Sequence, residues 1–570
     1  MLAAAAWALG LRGTDVAAQV YRASLAARHG LPIWDPGWYG GFYPLSYSLL
    51  APPLVAALGA GGTGVVSAAG ATWAFDATCR RLTGGRRSAG VWYFASCTLI
   101  AVGVGQLTYL AGEAVALAAV AAAVDRRRAA AGVGGVVAAL TSPLAAAFAI
   151  LTGLVLLAGA ALRPDGRGVI GAPAGPGSSG RSGALVWLCV GAGAAVLVPS
   201  ALLFPGDGPF PFAWTGMAVV EALCALVVVA GDRRALDLPF VLRAGALAYG
   251  LATLAAFVVA DPVGGNATRL AESAGLPAVL CALGAVRPGR RRALAVAALV
   301  PFAVWQWAPA TAMTTRATEP ASDRAGFYRP LHTELVSLAG GRPIRVEVVP
   351  TADHEESAAL PSRLVSLARG WERQLDVARD PVFYRPGALD DASYLRWLRG
   401  DGVSYVALAR APLDYAGRAE AALLRAGVPG LVRVWSSGPW TLWRVGGSPG
   451  LVSGPAVVTS IGADRVVLEV TRAATVLVRA RWTRYWTVRS GWACVAPAPG
   501  GWTRVEPRAP GRVTLGVSLL GTRDRCPLRA ASRVAAASVT RLPARQQHPA
   551  GVASGLDGAG GARPSGGRYR

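Results

Sequence analysis

Residues 109–141 read YLAGEAVALAAVAAAVDRRRAAAGVGGVVAALT. Two apolar runs, 109–124 and 130–141, flank one polar break that carries Arg126, Arg127 and Arg128. Apolar runs approaching the ~20 residues of a bilayer-crossing helix, joined by a basic turn, are the pattern of a chain that folds in lipid. The pattern repeats outward. Arginines occupy every second break: Arg80-Arg81 with Arg86-Arg87, then the cluster above, Arg163 with Arg167, Arg233-Arg234, and Arg287 with Arg290-Arg291-Arg292. The alternate breaks hold few or none, so the clusters mark the inner face by the positive-inside rule.

Further spans are expected near 62–79, 90–105, 143–162, 184–204, 213–231, 240–260, 273–286 and 293–309. The opening run Leu2–Leu11 is too short to cross and lacks the basic start and small-residue cleavage site of a signal peptide. It reads as a truncated first helix or a mis-assigned start. The run Leu49–Leu58, broken by Pro52-Pro53, reads as a partly embedded element. Counting the first segment gives about 11 spans. Parity then places the amino terminus inside and everything after about residue 310 outside, in a multi-pass protein of the cell membrane.

The composition agrees with a membrane class. The 570 residues are 53% hydrophobic and 15% charged, and the formal net charge is +24. In a soluble protein that charge would suggest nucleic acid. Here much of it orients the inner loops, all 56 basic residues are arginine, and 71 glycines accompany abundant alanine, so codon bias accounts for the rest. No nucleic-acid partner is expected; the bilayer is. Cys79, Cys97, Cys189, Cys224 and Cys281 lie in apolar segments and read as small packing residues. Cys494 and Cys526 lie in the polar C-terminal part, where export would permit a disulfide between them.

Four segments follow from the composition: a membrane part, 1–310; an extracytoplasmic α/β domain, 311–447; an extracytoplasmic β-sandwich-like domain, 448–535; and a low-complexity, disordered tail, 536–570. In the second, strand-like runs at 344–349 and 405–408 alternate with helix-like segments at 361–376 and 390–399, the latter with Asp390 and Asp391 as candidate N-caps. In the third, short β-rich runs appear at 464–470, 474–482, 484–488 and 512–519. The inner loop 163–183, rich in Gly, Pro and Ser, reads as flexible.

Chemistry concentrates in the first outer loop. It runs from Gly13-Thr14-Asp15 through a helix-like stretch to His29-Gly30-Leu31-Pro32-Ile33-Trp34-Asp35-Pro36, then Trp38-Tyr39-Gly40-Gly41 and Tyr43-Pro44. A second acid, Glu113, follows Gly105-Gln106-Leu107-Thr108-Tyr109, and a third outer segment holds Asp261, Asn266 and Arg269. An acid directly after a first span, an amphipathic helix and a G-x-P-x-W-x-P turn resemble the GT-C superfamily of polytopic glycosyltransferases. The β-rich module after the last span is similar to bacterial membrane proteins of the YfhO type and to actinobacterial arabinosyl- or mannosyltransferase-like proteins. The resemblance covers the organisation of 1–310, and no single motif in it is diagnostic. The truncated first helix and the lack of a D-x-D pair depart from it.

The resemblance implies a glycosyltransferase that takes a polyprenyl-phosphate sugar as donor and a cell-envelope glycan as acceptor. Asp15 matches the position of the essential first-loop acid, and Glu113 that of a second acid at the outer end of a helix. Arg269 would hold the lipid phosphate, with Asn266 beside it. Trp34, Trp38, Tyr39, Asp35 and His29 would contact sugars. No cofactor is assigned, and a divalent metal at Glu113 stays open. Each residue also has a plainer reading. Asp15 suits a helix start, the tryptophans an interfacial belt, Asp35 a turn, His29 a helix end, and Glu113 and Arg269 solvated positions. Asp353, His354, Glu355 and Glu356 read as a solvated acidic loop rather than a metal site. A non-catalytic scaffold or export factor for envelope polymers is the alternative function.

Overall fold

The computed structural model describes residues 1–570 except 11–12, 83–88, 126, 163–178, 207, 233–235, 237, 318–321, 323, 522–523 and 528–570. Arg86, Arg87, Arg126, Arg163, Arg167, Arg233 and Arg234, most of the 163–183 loop and the 536–570 tail lie outside the described residues, as does the side chain of Cys189.

The first part is helical. Among the described residues, four helices are long and apolar enough to cross a membrane: Ala51–Arg81, Leu107–Val124, Phe240–Val258 and Arg290–Ala310. Shorter apolar helices at Ala89–Val104, Arg128–Thr141, Pro143–Gly159, Val190–Leu203 and Trp214–Ala230 accompany them. Helix Ala51–Leu82 packs on Leu107–Val124, which packs in turn on Arg128–Thr141. The run 49–58 is not broken at its two prolines. A helix starts at Ala51, whose amide donates to the Ser48 hydroxyl. Pro52 and Pro53 sit in its first turn, where a missing N–H leaves no bond unmade. The break falls instead at Gly59, where φ is +70°. Arg81 pairs with Asp125 and joins the ends of two helices.

The C-terminal part is built on sheets. Strands β1 (Ile344–Val348), β2 (Val365–Leu367), β3 (Val403–Ala409), β4 (Leu431–Ser437) and β5 (Trp440–Val445) form one sheet in the order β2-β1-β3-β5-β4. β1 runs parallel to β2 and β3, while β5 is antiparallel to β3 and β4. The helix expected over 361–376 is instead strand β2, a loop, and a helix that begins at Arg373. A short apolar run buried on every side, as Val365–Leu367 is, carries no period that separates strand from helix. The helix Asp391–Gly400 does start as its sequence signals, with a reciprocal capping box between Asp390 and Ser393.

Two four-stranded antiparallel sheets follow. One orders Trp486–Ser490, Gly511–Val517, Arg465–Val470 and Ala456–Gly462; the other orders Ala493–Pro497, Trp502–Pro507, Val476–Arg481 and Val452–Ser453. Their inner faces share one apolar core that includes Val466, Leu468, Val476, Val478, Val505 and Leu515, the arrangement of a β-sandwich. Cys494 and Cys526 are disulfide-bonded.

The first loop joins these parts. After the helix Asp15–His29, the chain turns at Gly30 and enters the C-terminal sheets as a wedge, residues 34–42. Trp34 packs against Trp486 in the sandwich core, with ring centroids 4.7 Å apart. Its backbone amide donates to Asp464 Oδ1 at 2.8 Å. Trp38 stacks between Tyr21 and Phe42 and donates its indole N–H to the Ser357 carbonyl at 2.9 Å. The bare face of Gly370 lies on the Trp38 ring, where a Cβ would come within 2.2 Å. The backbone amides of Leu367 and Arg481 donate to the Gly37 and Gly40 carbonyls. Arg22, on the preceding helix, forms a buried ion pair with Glu372 at 2.8 Å.

Candidate functional site

Two glycines bring the first acid to the helices. A Cβ on Gly13 would lie 2.5 Å from the Val104 backbone, and one on Gly105 would lie 2.5 Å from the amide of Val16. Gly105 also has φ +90°, which favours glycine. The start of helix Asp15–His29 therefore presses onto the turn that opens helix Leu107–Val124. Gln19 strengthens this contact: its side-chain oxygen accepts from Thr108 Oγ1 at 2.6 Å, and its nitrogen donates to Tyr47 at 3.1 Å.

The segment 264–275 closes over this junction. A short 3₁₀ turn, Gly264–Thr268, leads into a single π-helical turn, Ala271–Gly275. Such turns recur at functional sites because they re-aim side chains. Arg269 Nη2 lies 3.7 Å from Asp15 Oδ2, and its Nε donates to Asn266 Oδ1 at 2.9 Å. The same guanidinium lies 5.8 Å from the centre of the Tyr109 ring. The Tyr109 hydroxyl is 3.2 Å from Ser273 Oγ, which donates to Glu113 Oε1 at 2.6 Å. Asp15, Arg269, Tyr109, Ser273 and Glu113 thus form one chain of contacts. Glu113 is buried and its Oε2 accepts no hydrogen bond among the described residues. A buried carboxylate oxygen without a donor is rare enough to need a reason.

An apolar cavity of about 420 Å³ lies beside this chain. Its wall includes Phe75, Leu117, Leu223, Leu242, Leu270 and Val279. One segment serves both places: Arg269 and Ser273 belong to the polar chain, while Leu270, Ala271 and Ala274 line the cavity. Tyr249 also lines it and fixes that segment, donating its hydroxyl to the Ala267 carbonyl at 2.5 Å.

Of the expected site residues, Asp15, Glu113, Arg269 and Asn266 come together, with Asn266 orienting Arg269. The others do not join them. Trp34, Trp38 and Tyr39 are buried in the wedge, so they offer no ring face to a sugar and are not an interfacial belt. The tertiary reason is that two sheets close on them. Tyr39 exchanges hydrogen bonds with the Glu372 backbone through its hydroxyl. Asp35 is buried too; it accepts from the Tyr21 hydroxyl at 2.5 Å and from the Gly37 amide at 3.2 Å. Burial pushes its carboxyl up to about 6, against the two hydrogen bonds. His29 is exposed at the end of its helix. The 353–356 segment is not a solvated loop, because His354 and Glu356 are buried.

Ser273 and Tyr109 carried no sequence signal, since hydroxyls in apolar runs are common. Glu272 and Glu221 did carry one, as acids inside or beside spans. Glu272 Oε1 accepts from Thr268, and Glu221 Oε1 accepts from Thr253, each at 2.6 Å. No family model, curated protein or solved structure matches the chain.

Proposed function

We propose that the chain is an integral membrane glycosyltransferase of GT-C type, which moves a sugar from a polyprenyl-phosphate donor to a cell-envelope acceptor. The observation that carries this reading is the joining of Asp15, Arg269 and Glu113 at the edge of an apolar cavity. A lipid-linked donor has an anionic head and a long apolar chain. Arg269 supplies the cation for the head, and the neighbouring cavity suits the chain. Phosphate drawing Arg269 away from Asp15 would free that carboxylate as the base. The acceptor hydroxyl loses its proton to Asp15, its oxygen bonds to the anomeric carbon, and the electron pair of the breaking C–O bond leaves on the lipid phosphate. Glu113 would orient the acceptor.

The proposed topology is about 11 spans with the C-terminal sheets outside. Contacts support it. The turn at 104–106 touches Gly13 and Val16, Leu140 and Thr141 bond Ser48, and Leu202 and Leu203 bond Arg484 and Tyr485. These turns, with Arg269 on Asp15, share one side with the first loop and the sheets. Among the described residues, Arg80, Arg81, Arg127, Arg128, Arg287 and Arg290 fall at the alternate turns. The rival is a membrane scaffold for envelope polymers, favoured by the burial of the first-loop aromatics. Replacing Asp15 with Asn in the producing cell decides between them. The enzyme reading expects loss of one envelope glycan at normal protein abundance; unchanged glycan at normal abundance supports the scaffold.

A further inference from the structure

The loops leaving the carboxyl ends of β1, β2 and β3 meet at one imidazole. His354 follows β1, Trp371 and Arg373 follow β2, and Asp414 follows β3. His354 is buried with φ +55°, and its ring stacks on Trp371 with centroids 3.6 Å apart and planes 7° from parallel. Nδ1 lies 3.4 Å from Glu356 Oε1, and Nε2 lies 3.4 Å from Asp414 Oδ2. A neutral imidazole has one N–H and one lone pair. In either tautomer a lone pair would face a carboxylate. Only the imidazolium is attracted to both, through ion pairs at 3.4 Å rather than hydrogen bonds, which neither ring nitrogen makes among the described residues.

The remaining charges nearby are placed to suit a cation. Arg373 pairs with Asp414 at 3.0 Å and lies over the Trp371 ring at 4.8 Å. Glu356 Oε2 accepts from Thr351 at 2.6 Å and faces the Tyr328 hydroxyl at 3.5 Å. Asp353 accepts from Ser322, and Glu355 starts the short helix that contains Glu356. With His354 charged, His354 and Arg373 balance Glu356 and Asp414. Without that proton a net negative charge stays buried, which a low-dielectric site resists.

The imidazole also supports the wedge. Ser357 donates its hydroxyl to the His354 carbonyl at 2.7 Å and accepts the Trp38 indole through its own carbonyl. Glu372, between Trp371 and Arg373, binds Arg22 and Tyr39. We propose that His354 is a proton-operated latch: its imidazolium ties the three loops together and seats the 34–42 wedge, and loss of the proton loosens that seat. Burial pulls the imidazole down, but Asp414 and Glu356 outweigh it and hold it above its usual value. A basic group held up in the fold stabilises at low pH, and that contribution disappears as pH rises through its folded value. The latch is independent of the glycosyltransferase reading.

The full chain in detergent or nanodiscs tests it by mass spectrometry over roughly pH 5 to 9. Exchange of the imidazole C2 hydrogen reports the titration of His354. Backbone amide exchange, corrected for its intrinsic pH dependence, reports peptides covering 36–42 and 351–357. The expected midpoint lies above the ordinary ~6.5, and both peptides exchange about ten-fold faster once it is passed. A peptide covering 465–470 stays constant. Glu356→Gln, nearly isosteric, moves the midpoint down. His354→Gln exchanges fast at every pH. A midpoint at or below about 6.5, or wedge protection that ignores the titration, overturns the proposal.

Discussion

The Arg269 guanidinium stands 3.7 Å from the Asp15 carboxylate, so a turn far along the chain closes over the first residue of the first long amphipathic helix. The pair is partly exposed, at 16% and 25% of its side-chain surfaces, and an ion pair of that kind contributes at most about 1 kcal/mol. Asp15→Asn and Arg269→Gln should therefore leave thermal unfolding in detergent nearly unchanged. On the proposed glycosyltransferase reading, transfer should fall by about 10²–10⁴-fold in Asp15→Asn, the range for a general base. Ser273→Ala should lower transfer less while leaving Glu113 without its donor. The comparison of melting temperature with glycan content in the same membranes checks all three.

Trp38→Ala should destabilise the C-terminal part by about 3–5 kcal/mol, as for large buried aromatics. It removes a fully buried ring and its bond to Ser357. Trp38→Phe keeps most of the packing and should cost less. Denaturant unfolding followed by protease susceptibility near residue 357 separates the two. Equal stability of Trp38→Ala and wild type would contradict the wedge.

Asp35 behaves opposite to most folded carboxylates. Burial raises it from 3.8 to about 6, so the native state binds its proton more tightly than the unfolded chain. Stability is then lost as pH rises between the two values, up to about 3 kcal/mol once pH exceeds the folded one. Asp35→Asn, which still accepts from Tyr21, should melt higher than wild type above about pH 6 and show no gain below about pH 4. Paired melting curves across that interval measure it.

The bridge between Cys494 and Cys526 spans 32 residues. By the chain-entropy estimate its removal in Cys526→Ser should destabilise the sandwich by about 3–4 kcal/mol. Thiol alkylation in intact cells adds a second reading. On the proposed topology both cysteines should resist it before reduction, because an exported domain is oxidised. Free, reactive thiols at both positions would place the sandwich in the cytoplasm and end the proposed topology.

What the sequence carried locally, the structure repeats. The helix from Asp15, the cap at Asp390 and the strand at Ile344 are set by neighbours within a few residues. The arginine alternation leads to the expectation that Asp15, Glu113 and Arg269 share a side, but leaves their contact open, because a shared side does not fix which loops meet. The fate of Trp34 and Trp38 was not legible. Their partners, Asp464 and Ser357, lie 430 and 319 positions away, and an aromatic loop beside a membrane span looks the same whether it faces sugar, lipid or a distant sheet. Ser273 was hidden for another reason: a π turn shifts the helical register, so spacing along 271–275 does not predict which side chain meets Glu113.

The wedge sets the order in which the molecule can be completed. Residues 34–42 leave the ribosome early, yet the surfaces that enclose Trp34 and Trp38 belong to residues 357–486. Until that late stretch has been synthesised, Trp34, Trp38 and Tyr39 lack their distant partners at Trp486, Ser357 and Glu372. Assembly that depends on such distant pairing is slow and exposed to misassociation. Chains arrested during translation before residue 357 would present this loop without the Ser357 and Trp486 contacts that seat it.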